Sequence, residues 1–139
     1  MDTMRRRRGA LTRCLHLIGL WVVSAAAAAA PAVDLGCPPV GKLEFGPFDY
    51  RIAPPEYLKR VENFHFNSDV ETLRKGQSSV NIGEDLEFVL RYFPNHSRAL
   101  SSLVQLAKRE NTNKPRGGHD TVDCWFERAS AFVPDDGSV

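Results

Sequence analysis

Glu62 and His65 are the pair of side chains in this chain whose spacing most directly suggests chemistry. They are three residues apart, which on a helix places a carboxylate and an imidazole on one face, as in carboxylate-bridged metal proteins. Such sites need further glutamates on facing helices, and the sequence does not supply them convincingly. We therefore predict no metal and no cofactor.

Acid catalysis by a carboxylate is the alternative chemistry. A small helical hydrolase would use Glu62 or Glu127 as its general acid. The sequence contains no nucleophile elbow, phosphate-binding loop or zinc-binding helix motif. The prediction is therefore that the protein is not an enzyme, with the hydrolase as the rival hypothesis.

A polar stripe is the other candidate site. Arg98, Ser101, Gln105 and Lys108 follow a helical spacing, with Arg109 beside them. A basic stripe of this kind favours an acidic peptide or a free C-terminal carboxylate through charge-assisted hydrogen bonds. The alternative is an ordinary solvated helix face.

The N-terminal region has the pattern of an export signal. Arg5 to Arg8 and Arg13 precede an apolar stretch over residues 15–23, followed by the alanines at 25–30. We predict a signal peptide over residues 1–32, cleavage before Val33 and a periplasmic location. The alternative is an uncleaved anchor in the inner membrane, and only then does the protein contact a membrane.

Without residues 1–32 the chain carries 13 Lys and Arg against 16 Asp and Glu, because that segment holds five arginines and one aspartate. A mildly acidic domain without a basic, aromatic stripe lacks the charge footprint of a nucleic-acid-binding protein. Cys37 and Cys124 remain, and in an oxidising compartment we expect them to form a disulfide. Two unpaired thiols are the alternative.

Beyond the signal, the sequence divides into a proline-rich arm over residues 33–54 and a helical domain over residues 55–139. Pro38, Pro39, Pro47 and Pro54 argue against regular structure in the arm. Apolar residues at helical spacing then predict five helices, the first beginning at Pro55.

The predicted helix ends come from local signals. Ser68 to Glu71 reads as a capping box of a short second helix that Gly76 stops. Pro94 ends the third helix, and Asn95 and Asp120 are the expected caps of the fourth and fifth.

One helix ending occurs twice, forty residues apart. Leu86, Val89 and Pro94 have the same spacing as Phe126, Ala129 and Pro134. Repetition at this length on helical segments is typical of stacked helix pairs. The fold class predicted is therefore all-α, as a short antiparallel array of helix hairpins with an irregular N-terminal arm.

With these residues placed, the chain resembles tetratricopeptide-repeat (TPR) proteins. Phe126, Ala129 and Pro134 match the second helix of such a repeat, and Leu100 and Leu103 match its first helix. It looks more closely like a family of exported TPR-type proteins of Gram-negative bacteria, which share the following motifs: Gly46-Pro47-Phe48-Asp49-Tyr50-Arg51, Val61-Glu62, His65-Phe66, Asp85-Leu86, Leu90-Arg91, Phe93-Pro94-Asn95-His96, Arg98-Ala99-Leu100, and Cys124 before Phe126-Glu127-Arg128-Ala129.

The resemblance implies a scaffold that binds a protein or peptide partner and carries no catalytic residue. In such helix stacks the stripe from Arg98 to Arg109 corresponds to the inward, ligand-holding surface. Relatives continue into further repeats, so the chain looks like a truncated member of the family. Too few repeats to bury both faces makes self-association a further expectation.

Overall fold

A computed structural model of the protein describes residues 36–139. The predicted signal segment lies outside the described residues. The described chain is all-α, with five helices and no strand, as the hydrophobic periodicity predicts. The helices are α1 (Pro55–His65), α2 (Ser68–Glu71), α3 (Ile82–Tyr92), α4 (Ser97–Glu110) and α5 (Val122–Phe132).

Helix α3 lies at the centre of the packing. It contacts α1, α2 and α4, while α5 packs against α4. Its inner face is fully buried, as expected for an amphipathic helix whose apolar residues recur every three or four positions. The principal side chains of the core are Val61, Phe66, Val70, Leu86, Val89, Leu90, Phe93, Leu100, Leu103, Leu106 and Trp125.

The repeated sequence motif gives a repeated local structure. Helices α3 and α5 each contain 11 residues and begin forty positions apart. The residue after each helix, Phe93 or Val133, has the same backbone conformation, with φ −134° and ψ 81° or 82°. Each donates its N–H to the carbonyl of Val89 or Ala129, and Pro94 or Pro134 follows.

The predicted helix caps are wrong by one residue in each case. Asn67, not Ser68, caps α2, because the Asn67 side chain accepts from the amides of Asp69 and Val70 at 3.0 Å. His96 replaces Asn95 at α4, and Thr121 replaces Asp120 at α5. Adjacent polar residues offer similar cap chemistry, and only the backbone angles decide which of them lies at the boundary.

Gly76 does not stop α2. The helix ends at Glu71, and Leu73 adopts the left-handed conformation with φ 59°. The amide of Leu73 donates to Val70 O and that of Arg74 to Asp69 O, which is the Schellman pattern formed here without glycine. Gly76 instead allows the following loop to close, since a Cβ there would lie 2.1 Å from Ser79 O.

Residues 36–54 contain neither helix nor strand and lie against the helices. The ring of Phe45 lies 4.4 Å from that of Tyr92 and 4.9 Å from that of Tyr57, between centroids. The amide of Phe48 donates to Tyr92 O at 2.8 Å, which satisfies a carbonyl that the end of α3 leaves open. This segment therefore contributes aromatic packing and a backbone cap to the helical core.

The predicted bond between Cys37 and Cys124 is present. It joins the N-terminal segment to α5 across 87 positions of sequence. The two ends of the described chain are thus covalently linked.

Candidate functional site

The five residues of the predicted polar stripe lie on the outer face of α4. All five are exposed, while Ala99, Leu100, Leu103 and Leu106 on the opposite face are buried in the core. The helical spacing therefore placed these side chains correctly. Whether this face binds a partner stays a prediction.

Internal contacts use two of the three cations in the stripe. Arg98 donates from Nε and Nη2 to the two carboxylate oxygens of Glu71 at 2.7 and 2.6 Å. This bidentate pair holds the pKa of Glu71 below its ordinary range. Arg109 donates from Nη1 to Leu73 O at 2.5 Å. Both arginines thus tie α4 to the end of α2, and neither partner was predictable from the spacing of the stripe.

The remaining residues of the stripe are available to solvent. Gln105 Nε2 donates to Ser101 Oγ at 3.3 Å. The Lys108 ammonium makes no hydrogen bond or ion pair with any residue of the described chain. It borders a shallow depression of about 330 Å³, lined by Val104, Ala107, Lys108, Asn111, Thr112, Asn113 and Val122. The exposed face therefore combines a cation, two hydrogen-bonding side chains and an apolar floor.

Glu62 and His65 both lie on α1, but their side chains contact different partners. Glu62 Oε1 lies 3.1 Å from His96 Nε2 and 3.6 Å from Arg98 Nη1. Because His96 Nδ1 accepts from the amide of Ala99, the other ring nitrogen carries the proton and donates to Glu62. Glu62 thus joins α1 to the start of α4.

His65 pairs with a buried carboxylate, that of Asp85. Its Nδ1 lies 2.8 Å from Asp85 Oδ1, and its ring stacks on Phe88 with centroids 3.6 Å apart. Asp85 also accepts from the amides of Gln77, Ser78 and Ser79 at 2.7 to 3.3 Å. One buried carboxylate therefore fixes the loop between α2 and α3.

Glu87, two residues further along α3, fixes the loop before α5 in a similar way. It accepts from the amides of His119 and Asp120 at 2.7 and 3.0 Å, and from the indole Nε1 of Trp125 at 3.0 Å. Asp85 and Glu87 are both almost fully buried, and the protein satisfies them with backbone and indole N–H groups. Sequence reasoning missed these roles; the available signal was two acids flanking Leu86 in a buried helix.

Asn95 links three turns through its side chain. Its Oδ1 accepts from the amide of Tyr50 at 2.9 Å, and its Nδ2 donates to Asp49 Oδ1 at 2.8 Å and Asp136 Oδ2 at 2.7 Å. Arg51 pairs with Asp49 at 2.7 Å. The hydrogen bond from Arg51 holds the pKa of Asp49 well below its ordinary range, and bonds from Ser138 and Asn95 lower that of Asp136.

These pKa shifts predict a loss of stability in acid. A carboxyl whose pKa is lower in the folded state adds stability above its unfolded pKa, and that stability is lost as pH falls through the folded value. The free energy of unfolding should therefore be larger at pH 6 than at pH 3. In Arg51→Gln, denaturant unfolding should show a smaller difference between the two, since Asp49 loses its largest stabilising contact. Lys59→Gln, at an exposed position of α1, is the control; equal acid sensitivity in all three proteins would contradict the assignment.

A cleft of about 570 Å³ lies between the N-terminal segment, the end of α3 and α5. The disulfide partner Cys37 is at its edge, and the Glu127 carboxylate lies 3.0 Å from Cys37 Sγ. Arg128 also lines it, and pairs with Asp120 at 2.8 Å. Glu127, the second candidate acid, is thus far along the chain from Glu62 and has different surroundings.

The described residues define a disulfide-linked all-α domain with an exposed polar face on α4 and a separate cleft beside the disulfide. Within residues 36–139, no group of three or more His, Cys, Asp and Glu is arranged to hold a metal ion. No helix among the same residues is long and apolar enough to span a membrane. Comparisons of the chain with protein-family models, curated proteins and solved structures give no match.

Proposed function

We propose that the protein is an exported, non-enzymatic module that binds a protein or peptide partner in the periplasm. The observation that supports this most directly is the outer face of α4. Ser101, Gln105 and Lys108 lie there in one exposed row, beside an apolar depression, on a helix whose other face is anchored in the core. A rigid helix with exposed polar groups is well suited to recognition, because little conformational entropy is lost when it binds.

The proposal includes the finer architecture. We propose that the helices form an antiparallel hairpin array of TPR type, with α3 and α5 as equivalent second helices and residues 33–54 as the arm. Their equal length and matching ends support this assignment. In such an array the solvent-exposed face of α4 lines the inward side of the helix stack, where ligands are held. The disulfide fits export to an oxidising compartment.

The expected partner is a peptide segment or protein surface with an acidic group. Lys108 supplies the one cation of the row without an internal partner among residues 36–139, and Ser101 and Gln105 supply hydrogen bonds. The two arginines contribute less than the sequence predicts, because Glu71 and Leu73 O already engage them. An acidic ligand would therefore centre on Lys108 rather than on Arg98.

Charge reversal on this face tests the proposal. With the exported protein as bait in an extract of the cells that produce it, Gln105→Glu/Lys108→Glu should recover at least about tenfold less of any specific partner, since a like charge opposes an acidic ligand. Lys59→Glu reverses the same charge at an exposed position of α1 and should still recover the partner. Equal recovery by both variants, or no specific partner with a folded bait, would contradict the proposal.

A further inference from the structure

The cleft beside the disulfide has the size and lining of a small-molecule site. Its volume of about 570 Å³ falls within the range of natural ligand pockets. The lining is mainly apolar and comes from three parts of the chain: Pro38, Leu43 and Pro47 of the N-terminal segment, Leu90 and Pro94 at the end of α3, and Phe132 of α5. Phe132 is 39% exposed, which is high for a phenylalanine.

Three charged side chains interrupt this apolar lining, and one of them is already neutralised. Arg128 pairs with Asp120 at 2.8 Å, donates from Nη2 to Pro38 O, and lies over the ring of Trp125 at 4.5 Å. Only 14% of its side chain is exposed. Arg128 therefore serves to hold the wall of the cleft together.

Arg91 is a cation without a counter-ion. It is half-buried, and its guanidinium lies 5.1 Å from the ring centroid of Phe88. The guanidinium makes no hydrogen bond or ion pair with any residue in 36–139, and its Nε is shielded from solvent without a partner. A guanidinium that is partly removed from water normally acquires a carboxylate or carbonyl partner, because the loss of hydration is costly.

Glu127 is the complementary case, an anion without a hydrogen-bond donor. It is half-buried, and its Oε2 lies 3.0 Å from Cys37 Sγ. That sulfur belongs to the disulfide and carries no hydrogen to donate. Glu127 and Arg91 do not pair with each other, although both line the same cleft. The cleft thus presents one unsatisfied charge of each sign within an apolar wall.

We propose that this cleft binds a small apolar zwitterion, with an α-carboxylate accepting from Arg91 and an ammonium donating to Glu127. An apolar amino acid and an apolar dipeptide with free termini share this chemistry. The side chains of such a ligand fit against Leu90, the prolines and Phe132. The site is separate from the α4 face, so it extends the proposed function and does not depend on it.

Calorimetric titration of the exported protein tests the proposal with four probes. These are phenylalanine, Leu-Phe with free termini, N-acetyl-Leu-Phe and Leu-Phe amide. We expect saturable binding of phenylalanine or of Leu-Phe, and the preferred one sets the size of the ligand. Blocking either end of the dipeptide should weaken binding at least tenfold, because each block removes one charge pair.

Two substitutions assign the ends of the ligand. Arg91→Met keeps the apolar stem of the side chain. It should weaken binding of the free dipeptide about tenfold and reduce the affinity for the amide little further. Glu127→Gln should weaken binding of the free dipeptide to a similar extent and reduce the affinity for the N-acetyl form little further. Lys59→Glu, at an exposed position of α1 outside the cleft, is the control and should bind as the unaltered protein does.

Several outcomes would overturn the proposal. One is the absence of binding of phenylalanine and Leu-Phe to the folded, oxidised protein at millimolar concentration. Another, where Leu-Phe binds, is equal affinity for the free and blocked dipeptides, a result obtained on the unaltered protein and so independent of how the variants fold. A third is binding that neither Arg91→Met nor Glu127→Gln reduces in variants with a native circular dichroism spectrum.

Discussion

Replacing Cys37 and Cys124 with serine should lower the free energy of unfolding by about 4–5 kcal/mol. The disulfide closes a loop of 87 positions, and removing it restores a large amount of conformational freedom to the unfolded chain. A domain of this size typically has only about 5–15 kcal/mol of stability. The double variant should therefore be close to unfolding at physiological temperature.

Urea denaturation with and without reductant measures this effect. Reduced wild-type protein should unfold at the same midpoint as the Cys37→Ser/Cys124→Ser variant, and the variant itself should not respond to reductant. A midpoint in the double variant within experimental error of the oxidised wild type would show that the link between the N-terminal segment and α5 contributes little to stability.

Asp85→Ala is expected to cost about 3–5 kcal/mol, because it removes the acceptor at a site that is completely buried. Three backbone amides, those of Gln77, Ser78 and Ser79, lose their partner, as does His65. Each buried donor left without an acceptor carries its own desolvation cost. The loop between α2 and α3 should open locally before the rest of the domain unfolds.

Glu84→Ala is the matched control for Asp85→Ala. Glu84 is the preceding residue of α3 and is exposed, so its loss should cost less than about 1 kcal/mol. Hydrogen exchange provides the second measurement, since amides 77–79 should exchange faster in Asp85→Ala than in Glu84→Ala. If the two variants have equal stability and equal exchange at these amides, the assigned role of Asp85 is wrong.

The helices were predictable because each carries its own signal. In α4 the apolar and polar faces alternate with the helical period, and the buried and exposed residues follow that pattern. The repeated ending of α3 and α5 was visible for a similar reason, since proline and the preceding apolar residues act locally. The disulfide was predictable because Cys37 and Cys124 are the two cysteines outside the signal segment, and export would take them to an oxidising compartment.

The partners of the polar side chains were not predictable in this way. The spacing of Glu62 and His65 describes only one helix, whereas their partners, His96 and Asp85, come from α4 and α3. Asn95 was expected to cap α4, but its carboxamide is engaged by Asp49 and Asp136. Such choices depend on tertiary distances, which have no periodic signature in a single sequence.

The cleft was missed for a related reason. Its outer wall is an irregular, proline-rich segment whose path over the helices has no repeating pattern. Arg91 was noted only as part of a motif, and Glu127 only as a possible acid. That both side chains line one apolar cleft becomes visible only when the path of the N-terminal segment over α3 and α5 is known.

We propose that the outer face of α4 is the surface through which this domain binds its partner. Site-specific photo-crosslinking in the cells that produce the protein tests it most directly, with the photoreactive residue at position 105 and, as a control, at position 130 of α5, also exposed. Binding through this face should give a discrete crosslinked species at 105 that is absent at 130 and is lost with Lys108→Glu. No adduct at 105, or the same adducts at both positions, would contradict it.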